Sequence, residues 1–241
     1  MNISARGEWG HRCFLLGFIL LWTIPVNLGH AQVTNLTNGQ SINFSQLTGA
    51  NPFSVQVGDK LFGNFSVQYS DNDGNTGNDL TASAFSLTAL SNQIGYGISF
   101  TGPFVANGNV FKDAVFRYSI AVTNSSQLIS DIHLDFNGTV VNGGFSTVTE
   151  DVFTGGFGGT LLTQIDVFSL GTTNQLTAAA NFLTPQTKVF IQKDITYGGN
   201  ATNDMSNISV VDQVFSQIPE PSTIVLSLAG LASLFFLKRR P

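Results

Sequence analysis

Val115-Phe116-Arg117-Tyr118-Ser119-Ile120-Ala121-Val122 alternates residue by residue. Successive side chains of an extended chain point to opposite faces, so Phe116, Tyr118, Ile120 and Val122 share one side. Val115, Arg117, Ser119 and Ala121 share the other. The stretch is therefore a strand with one buried face. Ile132, Leu134 and Phe136 alternate with Asp131, His133 and Asp135 in the same way, and Phe65-Ser66-Val67-Gln68-Tyr69 is a third such run. Further strand candidates are Ile94–Phe100, Phe145–Phe153, Leu161–Phe168, Lys188–Thr196 and Ile208–Phe215, divided by Gly, Asn and Asp clusters. No window of the body sustains a 3.6-residue apolar period. The expected fold is all-β, a sandwich of about ten strands.

The two ends read differently from this body. Arg6 and Arg12 precede an apolar core, Phe14 to Ile24, and Gly29-His30-Ala31 offers small residues before a cut at Gln32. Residues 1–31 are thus expected to be a signal peptide, its core a short helix. Cys13 follows Arg12, which breaks a lipobox, so it leaves with the signal and the mature chain has no cysteine. An exported domain without a disulfide has to hold together by its core.

At the other end, Pro219-Glu220-Pro221 is followed by sixteen residues without a charge, Ser222 to Leu237, and then by Lys238-Arg239-Arg240-Pro241. The prolines favour an extended segment over Ile218–Pro221. Ser222 can cap a helix spanning 222–237, which at ~1.5 Å per residue falls slightly short of a bilayer core of about 30 Å. Snorkelling of Lys238, Arg239 and Arg240 covers the shortfall, and these residues form a cytoplasmic stop. A transmembrane helix, kept as an anchor or removed by processing, is expected over 222–237.

The body, residues 32–217, is long enough for one domain with a sizeable core. Five Lys and Arg stand against thirteen Asp and Glu there, a formal charge of −8. That balance argues against nucleic acid and anionic headgroups as partners.

The PEP tripeptide, the apolar span and the terminal basic cluster together resemble the PEP-CTERM sorting domain of exported bacterial proteins. The resemblance covers about the last tenth of the chain. It implies recognition through Pro219, Glu220 and Pro221 by an exosortase-type processing enzyme, transient residence in the inner membrane, and delivery to the cell surface or outside in organisms that make exopolysaccharide. The body resembles, more loosely, uncharacterised exported β-rich domains, through Val57–Phe62, Gly95–Phe100, Ile129–Leu134 and Ser146–Glu150. No activity comes with that likeness.

Little chemistry is written in the body. Its one histidine, His133, lies between Asp131 and Asp135 on the polar face of a strand, and a solvated face is the simplest reading. Glu150 and Asp151 are adjacent and so point to opposite faces, which excludes a carboxylate pair. There is no Gly-x-Ser-x-Gly elbow. Gly155-Gly156-Phe157-Gly158-Gly159 is read as a hairpin connection rather than a phosphate loop, and Asn200 to Asn207 as a surface loop. Hard oxygen ligands recur in Asp71-Asn72-Asp73-Gly74-Asn75-Thr76-Gly77-Asn78-Asp79, making Asp71, Asp73, Asn75 and Asp79 the candidate Ca²⁺ ligands. The EF-hand pattern fails there, because Thr76 stands in for the Gly and Ala82 for the Glu. A polar turn explains the same residues.

Two functions are carried forward. One is a non-enzymatic β-domain of the cell surface or extracellular matrix, linked to exopolysaccharide and biofilm and needing no cofactor. The alternative is a secreted hydrolase with an acidic, Ca²⁺-supported site.

Overall fold

The computed structural model describes residues 32–50, 52–74 and 79–219. The signal segment, Asn75, Glu220, Pro221, the 222–237 span and the Lys238–Arg240 stop lie outside the described residues.

Alternating stretches became strands where expected, and sixteen strands are present among the described residues. In chain order they are β1 (Val33–Leu36), β2 (Ser41–Asn43), β3 (Ser54–Val57), β4 (Lys60–Asp71), β5 (Ser86–Ser91), β6 (Tyr96–Thr101), β7 (Phe104–Asn107) and β8 (Phe111–Val122). There follow β9 (Gln127–Val141), β10 (Phe145–Thr154), β11 (Thr160–Leu170), β12 (Thr173–Gln175), β13 (Thr177–Gln186), β14 (Lys188–Gly198), β15 (Met205–Phe215) and β16 (Gln217–Pro219). The eight stretches named from the sequence lie in β4, β6, β8, β9, β10, β11, β14 and β15; β5 and β13 lie outside them, and β1, β2, β3, β7, β12 and β16 are too short to show a period.

The strands form two sheets, the first in the order β1-β3-β4-β8-β14-β10-β11-β12. The second runs β13-β9-β15-β6-β5-β2, with β16 added on β9 and β7 on β15. Only the β1–β3 pair is parallel; the other ladders are antiparallel. No helix among the described residues is long and apolar enough to cross a membrane.

The inner faces meet over an aromatic centre. Phe116 of β8 touches Phe44, Phe85 and Phe100 with ring centroids 5.2, 5.0 and 5.1 Å apart, and Phe100 belongs to the facing sheet. Two of these contacts are edge-to-face, the geometry that places a ring's positive rim on a negative face. Tyr118, Ile120, Ile132 and Leu134 are fully buried with them, as the alternation requires. With tryptophan confined to Trp9 and Trp22, phenylalanine is the commonest residue of this core among the described residues.

Candidate functional site

Three places in the body concentrate polar chemistry. The first is the exit of the C-terminal segment. β16 pairs with β9 through Gln217↔Ile129, Ile218↔Leu128 and Pro219↔Gln127. The extended backbone expected before the motif is thus a sheet strand, and Pro219 is its last residue. Gln217 is held by its side chain as well: its Oε1 accepts from Lys60 Nζ at 2.5 Å and its Nε2 donates to Asp59. Lys60 Nζ also meets Asp59 Oδ1 at 2.7 Å. Lys60 is buried, while Asp59 keeps a quarter of its side-chain surface in water. Beside this cluster, Asp131 accepts from the Ser216 N–H at 2.9 Å and from its hydroxyl, and lies 3.4 Å from His133 Nε2. The serine hydroxyl therefore bonds to the carboxylate and not to the imidazole, so the trio lacks the nucleophile–base contact of a hydrolase triad.

The second place lies inside the sandwich. On β14 the apolar positions Val189, Ile191 and Ile195 share a face with Lys193, and on β10 Val148 and Val152 share a face with Glu150. Lys193 and Glu150 are Cα partners in the ladder, both wholly buried, and Lys193 Nζ contacts Glu150 Oε2. Across the core, Gln213 of β15 accepts from Lys193 Nζ at 2.7 Å, and its Nε2 donates to the His133 carbonyl at 2.9 Å. Gly97 lets β6 pack tightly against this part of β15; a Cβ there would stand 1.8 Å from the Gln213 carbonyl oxygen. Glu150 Oε1 has no hydrogen-bond partner among the described residues. Burial pushes the Glu150 carboxyl above its usual range, and the neighbouring Lys193 only partly opposes this. Burial likewise holds the Lys193 amine below its usual value, against the pull of Glu150. Both shifts favour uncharged groups, which a dry interior demands.

The third place is the outer face of the first sheet. Gln68, Arg117, Gln192, Asp151 and Gln164 stand on five neighbouring strands, β4, β8, β14, β10 and β11. Arg117 donates to Gln192 at 2.8 Å and to Gln68 at 3.4 Å, and Gln164 donates to Asp151 at 2.7 Å. The ladder ends in exposed amides, Gln68 and Gln164. Phe157, which is exposed, packs edge-on against Phe190 at 5.3 Å on the same side. Nearby, Asp113 is pushed up to about 7 by burial and by Asp194 on the next strand.

The residues picked out by sequence fall as follows. Glu150 points inward and Asp151 outward, as adjacency requires. Asp71 Oδ2 accepts from the Tyr69 hydroxyl at 3.0 Å and Oδ1 from the Asp73 N–H at 3.2 Å, an Asx turn at the end of β4. Among the described residues no three acids, histidines or cysteines converge in a way that could hold a metal ion. A further coordinated turn acid is Asp204, in the part of the expected 200–207 loop that precedes β15; residues 205–207 belong to that strand. Its carboxylate accepts from the N–H groups of Gly143, Asn200 and Ala201 at 3.0, 2.8 and 2.9 Å, which lowers its pKa. The 155–159 segment connects the antiparallel β10 and β11, as a hairpin should.

The structure so far defines a β-sandwich whose last described strand leads into the C-terminal segment. That segment, residues 217–240, matches the PEP-CTERM protein-sorting motif. The chain therefore carries a sorting signal that indicates an exported protein, anchored transiently in the membrane before exosortase processing. No curated protein matches the chain. Among solved structures it is similar to the module TmCBM61 in complex with beta-1,4-galactotriose, at 11% identity and TM-score 0.31 over 64% of this chain and 88% of that one. It is also similar to the enzymatically active domain of tailspike protein 4 of bacteriophage CBA120, at 12% identity and TM-score 0.30 over 64% of this chain and 19% of that one. A third, CsCBM6-3 from Clostridium stercorarium in complex with cellobiose, has 14% identity and TM-score 0.22 over 76% and 97%. Likeness at this level is too slight to carry a functional argument.

Proposed function

We propose that this protein is a non-enzymatic component of the cell surface or extracellular matrix, whose β-domain contacts a neutral polysaccharide once the C-terminal signal has been processed. The observation that carries the reading is the polar ladder Gln68–Arg117–Gln192–Asp151–Gln164 across five strands, ending in exposed amides beside an exposed phenylalanine. Amide and guanidinium groups can exchange their mutual hydrogen bonds for those of sugar hydroxyls, and a phenyl face covers the apolar side of a pyranose ring. The acidic body disfavours a polyanion. Delivery outward is supported by the sorting motif; a role in an exopolysaccharide matrix or biofilm extends that support.

Affinity electrophoresis of the exported protein in gels containing neutral glucans or galactans tests the contact. Retardation by at least one polysaccharide is expected, and it should fall about fivefold in Gln192→Ala, which removes a central hydrogen bond worth ~1 kcal/mol while leaving the core intact. Migration unaffected by any glycan would sink the reading. Processing is tested separately by mass spectrometry of the exported pool, where a C-terminus near Pro219–Pro221 is expected and an intact Lys238–Arg240 end would mean a permanent anchor.

A further inference from the structure

A buried lysine that touches both a carboxyl and a side-chain amide brings together the reactants and the proton carrier for an amide exchange. We propose that Lys193 and Gln213 form an intramolecular amide cross-link between the two sheets, with Glu150 transferring the proton. The inference stands apart from the polysaccharide reading and does not need it.

The placement supports each role. Lys193 belongs to β14 of the first sheet and Gln213 to β15 of the second, so a bond between them spans the core. Lys193 Nζ already sits at the carbonyl end of the amide, 2.7 Å from Oε1. The amide is held by its hydrogen bond to the His133 carbonyl, which fixes its plane while the amine approaches. Glu150 Oε2 touches the same amine, and its other oxygen is free of protein partners among the described residues. Phe100 covers Nζ at 5.8 Å from its ring centroid, and Tyr118 is buried alongside. An amine held beside an amide carbonyl in this way reacts as a unimolecular system, an advantage of about 10⁵ M or more in effective concentration.

The step balances without any outside reagent. The uncharged Lys193 amine adds to Gln213 Cδ, forming the Nζ–Cδ bond, while the Glu150 acid gives its proton to the departing nitrogen. The Cδ–Nε2 bond breaks and ammonia leaves. Glu150 then recovers a proton from the former amine, ending as it began. Burial supplies the needed protonation states, since it favours the free amine and the un-ionised acid. Once formed, the neutral amide also relieves the core of a buried pair that is poor in hydrogen bonds. This is a single self-modification with no turnover.

The only methionines are Met1 and Met205, and Met205 lies between the two linked positions. Cyanogen bromide cleavage of the exported protein at Met205 therefore separates Lys193 from Gln213 unless they are bonded. With no cysteine in the mature chain, no disulfide can hold the pieces together. The expected result is that the fragments stay joined on a denaturing gel, with the joined species lighter by one ammonia. Peptide fragmentation should place the loss at Lys193 and Gln213. Cyclisation of Gln32 at a new N-terminus loses the same mass without joining the fragments, so the gel decides. Fragments that separate overturn the proposal, including the case of a Lys193–Glu150 bond, since both residues precede Met205. A bridge mapped to Lys60 and Gln217 overturns it as well. Glu150→Gln keeps the side-chain shape but removes the acid; it should leave the circular dichroism spectrum unchanged and abolish the joined species. A folded Glu150→Gln protein that still joins its fragments would remove Glu150 from the reaction.

Discussion

The molecule contains the same trio twice, and the two copies differ in their access to water. Lys60, Asp59 and Gln217 meet at the rim, where Asp59 is a quarter exposed; Lys193, Glu150 and Gln213 meet in the core, where lysine and acid are wholly buried. At the rim, water screens the ion pair and solvates whatever the protein leaves unpaired, so the cluster serves as a clasp on β16. In the core the same groups are driven towards neutrality and forced to satisfy one another. The same three groups, an amine, a carboxylate and an amide, thus give a latch in one setting and a reactive assembly in the other.

Removing one lysine breaks the comparison most sharply. Lys193→Met removes the cross-link and leaves the Glu150 carboxyl without a partner in the interior, and is expected to lower the unfolding free energy by about 3–5 kcal/mol, read from urea denaturation. Adding Glu150→Leu to that variant should recover the part of the loss that comes from the unpaired carboxyl, because a buried pair replaced by apolar groups is close to neutral. If the double variant is no more stable than the single one, an unpaired buried carboxyl is not the cause. Lys60→Met should cost only about 1 kcal/mol, since Asp59 can turn to water. Equal losses at the two lysines would end the distinction drawn between them.

The smallest expected effect concerns a pair of acids with no lysine. Asp113, raised to about 7 beside Asp194, has a folded pKa above its ordinary value of 3.8. Its contribution to stability is complete below the unfolded value and is lost as pH rises from 3.8 to about 7. Melting temperature should therefore decline modestly across that window, and Asp113→Asn should flatten the decline. A slope unchanged by the substitution would assign it to other groups.

Much of this fold was legible because alternation is a strong signal in long strands. β8 and β9 bury the residues their patterns put inward: Phe116, Tyr118 and Ile120 in one, Ile132, Leu134 and Phe136 in the other. β13 escaped notice, since Thr-Ala-Ala-Ala-Asn has little β propensity and its place is set by pairing with β9. The interior cluster left a trace that went unread. Lys193 falls in phase with Val189, Ile191 and Ile195, and Glu150 with Val148 and Val152, so each strand shows one charge on its apolar face. What sequence could not supply was that these two strands are neighbours, or that Gln213 faces them. The outer ladder was invisible for the same reason, as it depends on five strands meeting in one register.

The pairing of β16 with β9 gives the chain a direction of mechanical weakness. While the C-terminal segment is tethered, any pull on the body enters at Pro219 and loads a strand of three residues, held at its start by the Asp59 and Lys60 contacts to Gln217. That short strand is the first to yield under tension. The load then passes to β15, which is paired along its length with β9 on one side and with β6 and β7 on the other. Drag on the outside of a cell would thus peel a few residues and stop, leaving the sandwich whole and the tether lengthened by only that much.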